Sequence, residues 1–220
     1  MQIKSFFIIF FIISVLSASP VHEKHQRQYT IIIDPAGDAK KTGRRIGDSF
    51  ERGLTLQCAE KIKEIIEKQT NNITIIITRL PGDIIYELQN ASLSNRLNAD
   101  LFVHLSFYQT QETKPTLYLY QFSNGNDFVQ PQQNLTFNSY DQAYLVNKAK
   151  TDAIIRICKQ KLTQNFHHLC STNQPYSLPI KALTGIVAPS IAYEIGLKEK
   201  QDWSLYVEPI TAALMAAIEQ

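Results

Sequence analysis

Residues 101–107 read Leu-Phe-Val-His-Leu-Ser-Phe, with Leu101, Val103, Leu105 and Phe107 alternating against Phe102, His104 and Ser106. A period of two sends successive side chains to opposite sides of a strand. The segment is therefore a strand with one wholly apolar face and a second face that carries polar groups. Upstream, Ile84–Asn98 is expected to be helical, and Ile73–Thr78 is a β-branched strand closed by Pro81-Gly82. Before these, Asp48–Lys68 places Leu54, Cys58, Ile62, Ile65 and Ile66 near the helical period, with Asp48 or Ser49 as its cap. A polar, glycine-punctuated loop at Ala36–Gly47 joins it to Thr30–Asp34, a buried strand with Ile31, Ile32 and Ile33 in a row. Downstream come a strand at Leu117–Phe122, a polar loop at Gly125–Asn138 and a helix at Asp141–Leu162. Ile191–Ile195 is a further strand, and Pro209–Ile218 a closing helix. Strands alternating with helices predict a three-layer, single-domain α/β fold, its mostly parallel or mixed central sheet flanked by helices. No internal repeat and no linker divides it.

Composition narrows the function classes. The 220 residues are 44% hydrophobic and 19% charged, with a formal charge of +2. Such a chain folds, and its charge is too even for a dedicated nucleic-acid binder. No apolar run reaches the roughly 20 residues of a spanning helix. Residues 1–19 combine one basic residue, Lys4, an apolar run Phe6–Ile13 and a small-residue exit at Ser17, Ala18 and Ser19. This is the pattern of a secretory signal peptide, the alternative being an uncleaved membrane anchor. Residues 20–29 form a polar leader with His22 and His25, and residues 30–220 form the domain. The expected location is outside the cytoplasm, periplasmic or extracellular. Cys58, Cys158 and Cys170 allow at most one disulfide, or serve as three buried small hydrophobes. Sequons stand at Asn72, Asn90 and Asn134.

Five blocks carry a resemblance: Ile33-Asp34-Pro35-Ala36-Gly37, Glu51-Arg52-Gly53-Leu54-Thr55-Leu56, Thr78-Arg79, Asn95–Phe102, and Tyr193-Glu194-Ile195-Gly196. In this order and spacing the chain resembles the zinc-dependent N-acetylmuramoyl-L-alanine amidases, which are peptidoglycan hydrolases. The resemblance runs from about Thr30 to Gln220. It implies an amidase-like domain of the cell envelope, and hydrolysis of the amide between N-acetylmuramic acid and L-alanine. It also implies a zinc ion held by His, Glu and His, with a second Glu as general acid/base. Carried across, Glu51 stands at the ligand Glu and Glu194 at the catalytic Glu. Gly37 and Ser106 stand where the two ligand histidines belong. Glycine has no donor atom, and a hydroxyl is a poor zinc ligand beside imidazole. No cofactor is therefore expected as the sequence stands, although the family uses zinc.

The remaining candidates each carry two accounts. Asp48-Ser49-Phe50-Glu51 has capping-box spacing, which makes Glu51 structural. Glu194, on an apolar strand, is either a functional acid or one satisfied by local hydrogen bonds. His104 is a hydrogen-bonded histidine beneath the old site, or joins Glu51, Asp38 and Glu194 in a shifted metal set. His167 and His168 are read as solvent-exposed. Lys40, Lys41, Arg44 and Arg45 crowd the loop beside the cleft. They read as a solvated basic loop, the alternative being that Arg44 or Arg45 takes over the charge role of the metal.

Three functional readings follow. The first is a peptidoglycan binder or regulator with a degenerate zinc site, a pseudoenzyme. The second is an active amidase with a rearranged metal set or no metal. The third is an exported interaction protein without glycan binding. Peptidoglycan or its fragments are the expected partner, with no nucleic acid, and a membrane only if the N-terminal segment stays uncleaved.

Overall fold

A computed structural model describes residues 28–86, 88–125 and 139–219. The signal segment, most of the leader with His22 and His25, the Asn134 sequon and nearly all of the 125–138 loop lie outside the described residues. The strands are β1 (Tyr29–Pro35), β2 (Arg45–Ile46), β3 (Ser49–Phe50), β4 (Ile73–Ile77), β5 (Leu101–Gln109), β6 (Thr116–Phe122), β7 (Ser171–Thr172), β8 (Tyr176–Leu178) and β9 (Ser190–Leu197). The helices are α1 (Glu51–Gln69), α2 (Gln89–Arg96), α3 (Lys148–Asn165) and α4 (Val207–Ile218). Seven strands form one sheet in the order β4-β1-β5-β9-β6-β7, with β8 also on β6. Within this sheet only β6 and β9 pair antiparallel, and β2 and β3 form a separate antiparallel hairpin.

The two sheet faces differ as the alternation of β5 requires. Ile31, Ile33, Leu101, Val103, Leu105, Phe107, Ile191 and Ile195 are completely buried in a large core with α1, α3 and α4. Helix α1 meets that core along Leu54, Cys58, Ile62 and Ile66, a stripe at spacings of four, four and four. The opposite face holds a smaller core of Ile32, Phe102, Phe122 and Ala192 beneath Ala91, Leu183 and Ile186. Towards the C-terminal ends of β1, β5 and β9 this second face turns polar, with Asp34, His104, Ser106 and Glu194. All three cysteines are free and buried, and burial pushes the thiols of Cys58 and Cys158 up, the latter to about 11.

Several boundaries differ from expectation for local physical reasons. Helix α1 starts at Glu51, and its N-cap is Phe50 with no side-chain cap. Asp48 and Ser49 instead belong to the β2–β3 hairpin, where Gly47 takes φ 59° in the turn and Asp48 pairs with Lys200 at 2.8 Å. The expected helix over 84–98 shortens to α2, because the Asp38 carboxylate accepts the Ile85 N–H at 3.1 Å and Leu88 takes φ 60° just before the first turn. The helix expected from Asp141 begins at Lys148 after a 3-10 turn, Ala143–Asn147. Strands β7 and β8, which complete the edge of β6, are too short to read from periodicity.

Candidate functional site

The blocks that carry the resemblance turn out to be largely the joinery of the site. Thr78 donates to Asp34 Oδ1 at 2.8 Å, and buried Arg79 donates to the carbonyls of Pro35, Ala36 and Arg52 at 3.1, 3.2 and 2.7 Å. Arg79 thereby ties the end of β1 to the first turn of α1. Asn95 pins the loop before β9, donating to the Gly185 carbonyl at 2.8 Å and accepting from the Val187 N–H at 2.9 Å.

Glu51 and Glu194 have different surroundings. Glu51 is 5% exposed, and its two oxygens accept the N–H of Phe107 at 2.8 Å and of Arg44 at 2.9 Å. Gly43, at φ 74°, lets the loop come this close, since a Cβ there would lie 2.6 Å from Glu51 Oε2. The carboxylate thus closes the loop onto β5, and the capping-box account of Glu51 is replaced by this longer-range one. Glu194 instead meets side chains. One oxygen lies 2.6 Å from the Arg44 guanidinium, and the other accepts the Tyr120 hydroxyl at 2.6 Å. Burial, then the Glu194 charge, pushes the Tyr120 phenol well above its ordinary value.

Of the two arginines, Arg44 reaches Glu194 and also donates to the Phe107 carbonyl at 3.3 Å. Arg45 turns back on its own hairpin, donating to the Gly47 carbonyl at 3.0 Å. Gly37 sits at φ 79°, where a Cβ would lie 2.7 Å from the Arg52 Cβ. Ser106 donates to the Tyr193 carbonyl at 3.1 Å. Asp38 accepts the N–H groups of Lys40, Lys41 and Ile85, and the Lys41 bond in particular holds its carboxyl below the ordinary value.

His104 leans away from Glu194 towards β1, with Nδ1 2.7 Å from Asp34 Oδ2. The structure therefore does not gather His104, Glu51, Asp38 and Glu194. Among the described residues no three His, Cys, Asp or Glu side chains are placed to hold one metal ion. His167 and His168 lie beyond α3, ring edge to ring face, away from the site.

Sequence reasoning missed a group of tyrosines. Tyr118 and Tyr120 of β6 lie beside Glu194 and Ala192 of β9 in register. With Tyr108 and Tyr176 their rings form a continuous patch at centroid separations of 5.7–6.2 Å. Burial raises the Tyr108 phenol to about 12. The alternation Tyr118-Leu119-Tyr120 was the available signal, because it puts both tyrosines on the face opposite Leu119.

No family model matches the sequence, and no curated protein matches it in sequence. Solved structures do match in shape. The fold is similar to that of N-acetylmuramoyl-L-alanine amidases. AmiC2 of Nostoc punctiforme superposes with a TM-score of 0.62 at 14% identity, over 87% of this chain and 98% of its own. The CwlD amidase of Clostridioides difficile, in complex with the GerS lipoprotein, gives 0.63 at 15% identity, over 87% and 97%. Ami1 of Mycobacterium smegmatis gives 0.62 at 10% identity, over 89% and 99%. The amidase-like α/β architecture thus spans nearly the whole of both chains.

Proposed function

We propose that this chain is an exported, amidase-like protein of the cell envelope that binds peptidoglycan without hydrolysing its amide. The observation that carries this reading is the Arg44–Glu194 ion pair at 2.6 Å. A zinc site needs several donor atoms with lone pairs free to converge on one point. Here Gly37 offers none, Ser106 is a weak ligand, and both Glu51 oxygens accept backbone N–H bonds. These residues do not fit zinc. The Arg44 guanidinium supplies a positive charge beside the acid at the family's general acid/base position, where its fixed charge neutralises the carboxylate without polarising a water. A paired Glu194 is poorly placed to take a proton from an attacking water, because its lone pairs face Arg44 and Tyr120.

Several features support binding. The four tyrosines offer flat apolar surface with polar tips beside the ion pair. The leader pattern of residues 1–19 supports export.

Purified full-length chain should co-sediment with insoluble peptidoglycan, contain no stoichiometric zinc and release no stem peptide. Stoichiometric zinc together with turnover abolished by Glu194→Gln would overturn the reading in favour of an active amidase. Absence from the pellet would overturn it in favour of an interaction protein without glycan binding.

A further inference from the structure

The two edges of the central sheet are built differently. At one edge β6 is covered only by β7 and β8, of two and three residues. Strands that short offer little template for another chain. At the other edge β4 runs unbroken for five residues as Ile-Thr-Ile-Ile-Ile, without proline, glycine or charge. A continuous, β-branched, uncharged edge of this kind is a ready site for a further strand. Bonds at its two ends fix which backbone groups face outward. The Tyr29 N–H donates to the Asn72 carbonyl at 2.7 Å, and the Thr78 N–H donates to the Ile33 carbonyl at 3.0 Å. Residues 72, 74, 76 and 78 therefore bond β1, and the N–H and C=O groups of Ile73, Ile75 and Ile77 point away from the sheet.

Two side chains of α1 close the middle of this outward row. Lys63 Nζ donates to the Ile75 carbonyl at 2.5 Å, and Glu67 Oε1 accepts the Ile75 N–H at 3.0 Å. Together they offer one residue a donor and an acceptor, the same pair that a residue on a neighbouring strand supplies. They also meet each other at 3.1 Å. Lys before Glu is the weaker order for an i,i+4 pair on a helix, whereas Glu64 and Lys68 on the same helix have the stronger order. The placing of Lys63 and Glu67 therefore serves β4 more than α1.

We propose that Lys63 and Glu67 hold the β4 edge closed against a second copy of this chain. The edge is self-complementary. Two β4 strands related by a two-fold axis at Ile75 pair antiparallel, with Ile75 opposite Ile75 and Ile73 opposite Ile77. Their outward groups then exchange about six hydrogen bonds. Ile75 is the middle of the three outward residues, so a clip on it alone blocks every pairing that spans two neighbouring ones. β1 and β5 separate this edge from β9 and Glu194, which makes its closure independent of peptidoglycan binding.

Sedimentation velocity on the full-length chain tests this. Lys63→Ala/Glu67→Ala should dimerise with a dissociation constant at least about tenfold below that of the unaltered chain. Glu64→Ala/Lys68→Ala removes the same charges from α1 and should sediment as the unaltered chain does. Lys63→Arg/Glu67→Gln, which keeps a donor and an acceptor, should do the same. In the alanine variant the amides of Ile73, Ile75 and Ile77 should gain protection from hydrogen exchange as its concentration rises. Circular dichroism checks that it folds; should it not, Glu67→Ala alone, which opens only the Ile75 N–H, carries the same expectation. A folded alanine variant that associates no more than the unaltered chain would overturn the proposal. So would equal association of Glu64→Ala/Lys68→Ala, or association that leaves those three amides unprotected.

Discussion

Glu51 and Glu194 are the two carboxylates beside Arg44 in an amidase-like fold, yet the chain satisfies them by different means. Glu51 is held by two backbone N–H groups, from Phe107 and Arg44, and is almost fully buried. Glu194 is held by two side chains, the Arg44 guanidinium and the Tyr120 hydroxyl, and its side chain is 22% exposed. Backbone donors cannot be substituted away, so a carboxylate that serves them becomes part of the architecture. Side-chain donors can be removed one at a time, and water can replace them. Glu51 therefore acts as a structural clasp, whereas the surroundings of Glu194 remain open to change.

The largest test of this contrast is Glu51→Ala. It leaves the Phe107 N–H buried without its charged acceptor and frees the Arg44 loop. A loss of about 3 kcal/mol is expected in urea unfolding, from two hydrogen bonds to a charged group. A loss below about 1 kcal/mol would place Glu51 in the same class as Glu194. Next in size is Gly37→His, which places an imidazole where the resemblance implies a ligand. Positive φ and a Cβ 2.7 Å from the Arg52 Cβ make this change destabilising, by about 2 kcal/mol. It should bring no zinc binding in calorimetry, because Glu51 stays engaged. Zinc uptake by this variant would show that the clasp opens.

Arg44→Ala should have a smaller effect, about 0.5 kcal/mol, because the Arg44 side chain is 51% exposed and solvent screens the pair. Its principal readout is peptidoglycan sedimentation, which should fall severalfold. The smallest effect is a titration. Burial and then Glu194 hold the Tyr120 proton to higher pH than in the unfolded chain, so Glu194→Gln should let this phenol ionise at lower pH. The sign for stability follows from the same linkage. Above pH about 10 the unfolded chain loses tyrosine protons that the fold retains on Tyr108 and Tyr120. The tyrosine contribution to stability is therefore constant below that pH and is lost above it, with Tyr108 contributing up to about 12. Ultraviolet difference spectra and urea midpoints across that window check both statements.

The strands and long helices were legible because their cores repeat at periods of two or about four. The face assignments of Leu101, Val103, Leu105 and Phe107 follow directly from alternation. The start of α1 was not legible, because Asp48 and Ser49 have good capping chemistry in a place where a Gly47 turn makes a hairpin. The late start of α2 was hidden for a similar reason, since the carboxylate that holds Ile85 belongs to Asp38, far back in the chain. Gly37, Glu51, Ser106, His104, Glu194 and the Arg44-Arg45 pair could be named as candidates from the sequence, but the partners that the fold gives them could not.

By itself, the sequence determined that this is an α/β domain, which segments form its five longer strands, and which face of β5 carries polar groups. Those properties depend on neighbours within a few residues. Tertiary structure alone decided that Arg44 rather than Arg45 meets Glu194, that Glu51 clasps Phe107, and that His104 turns to Asp34. Each of these contacts joins residues at least 56 positions apart, and several donors within the loop are chemically equivalent candidates. Which donor reaches which carboxylate depends on how β1, β5 and β9 align in the folded sheet, a geometry that local periodicity does not encode.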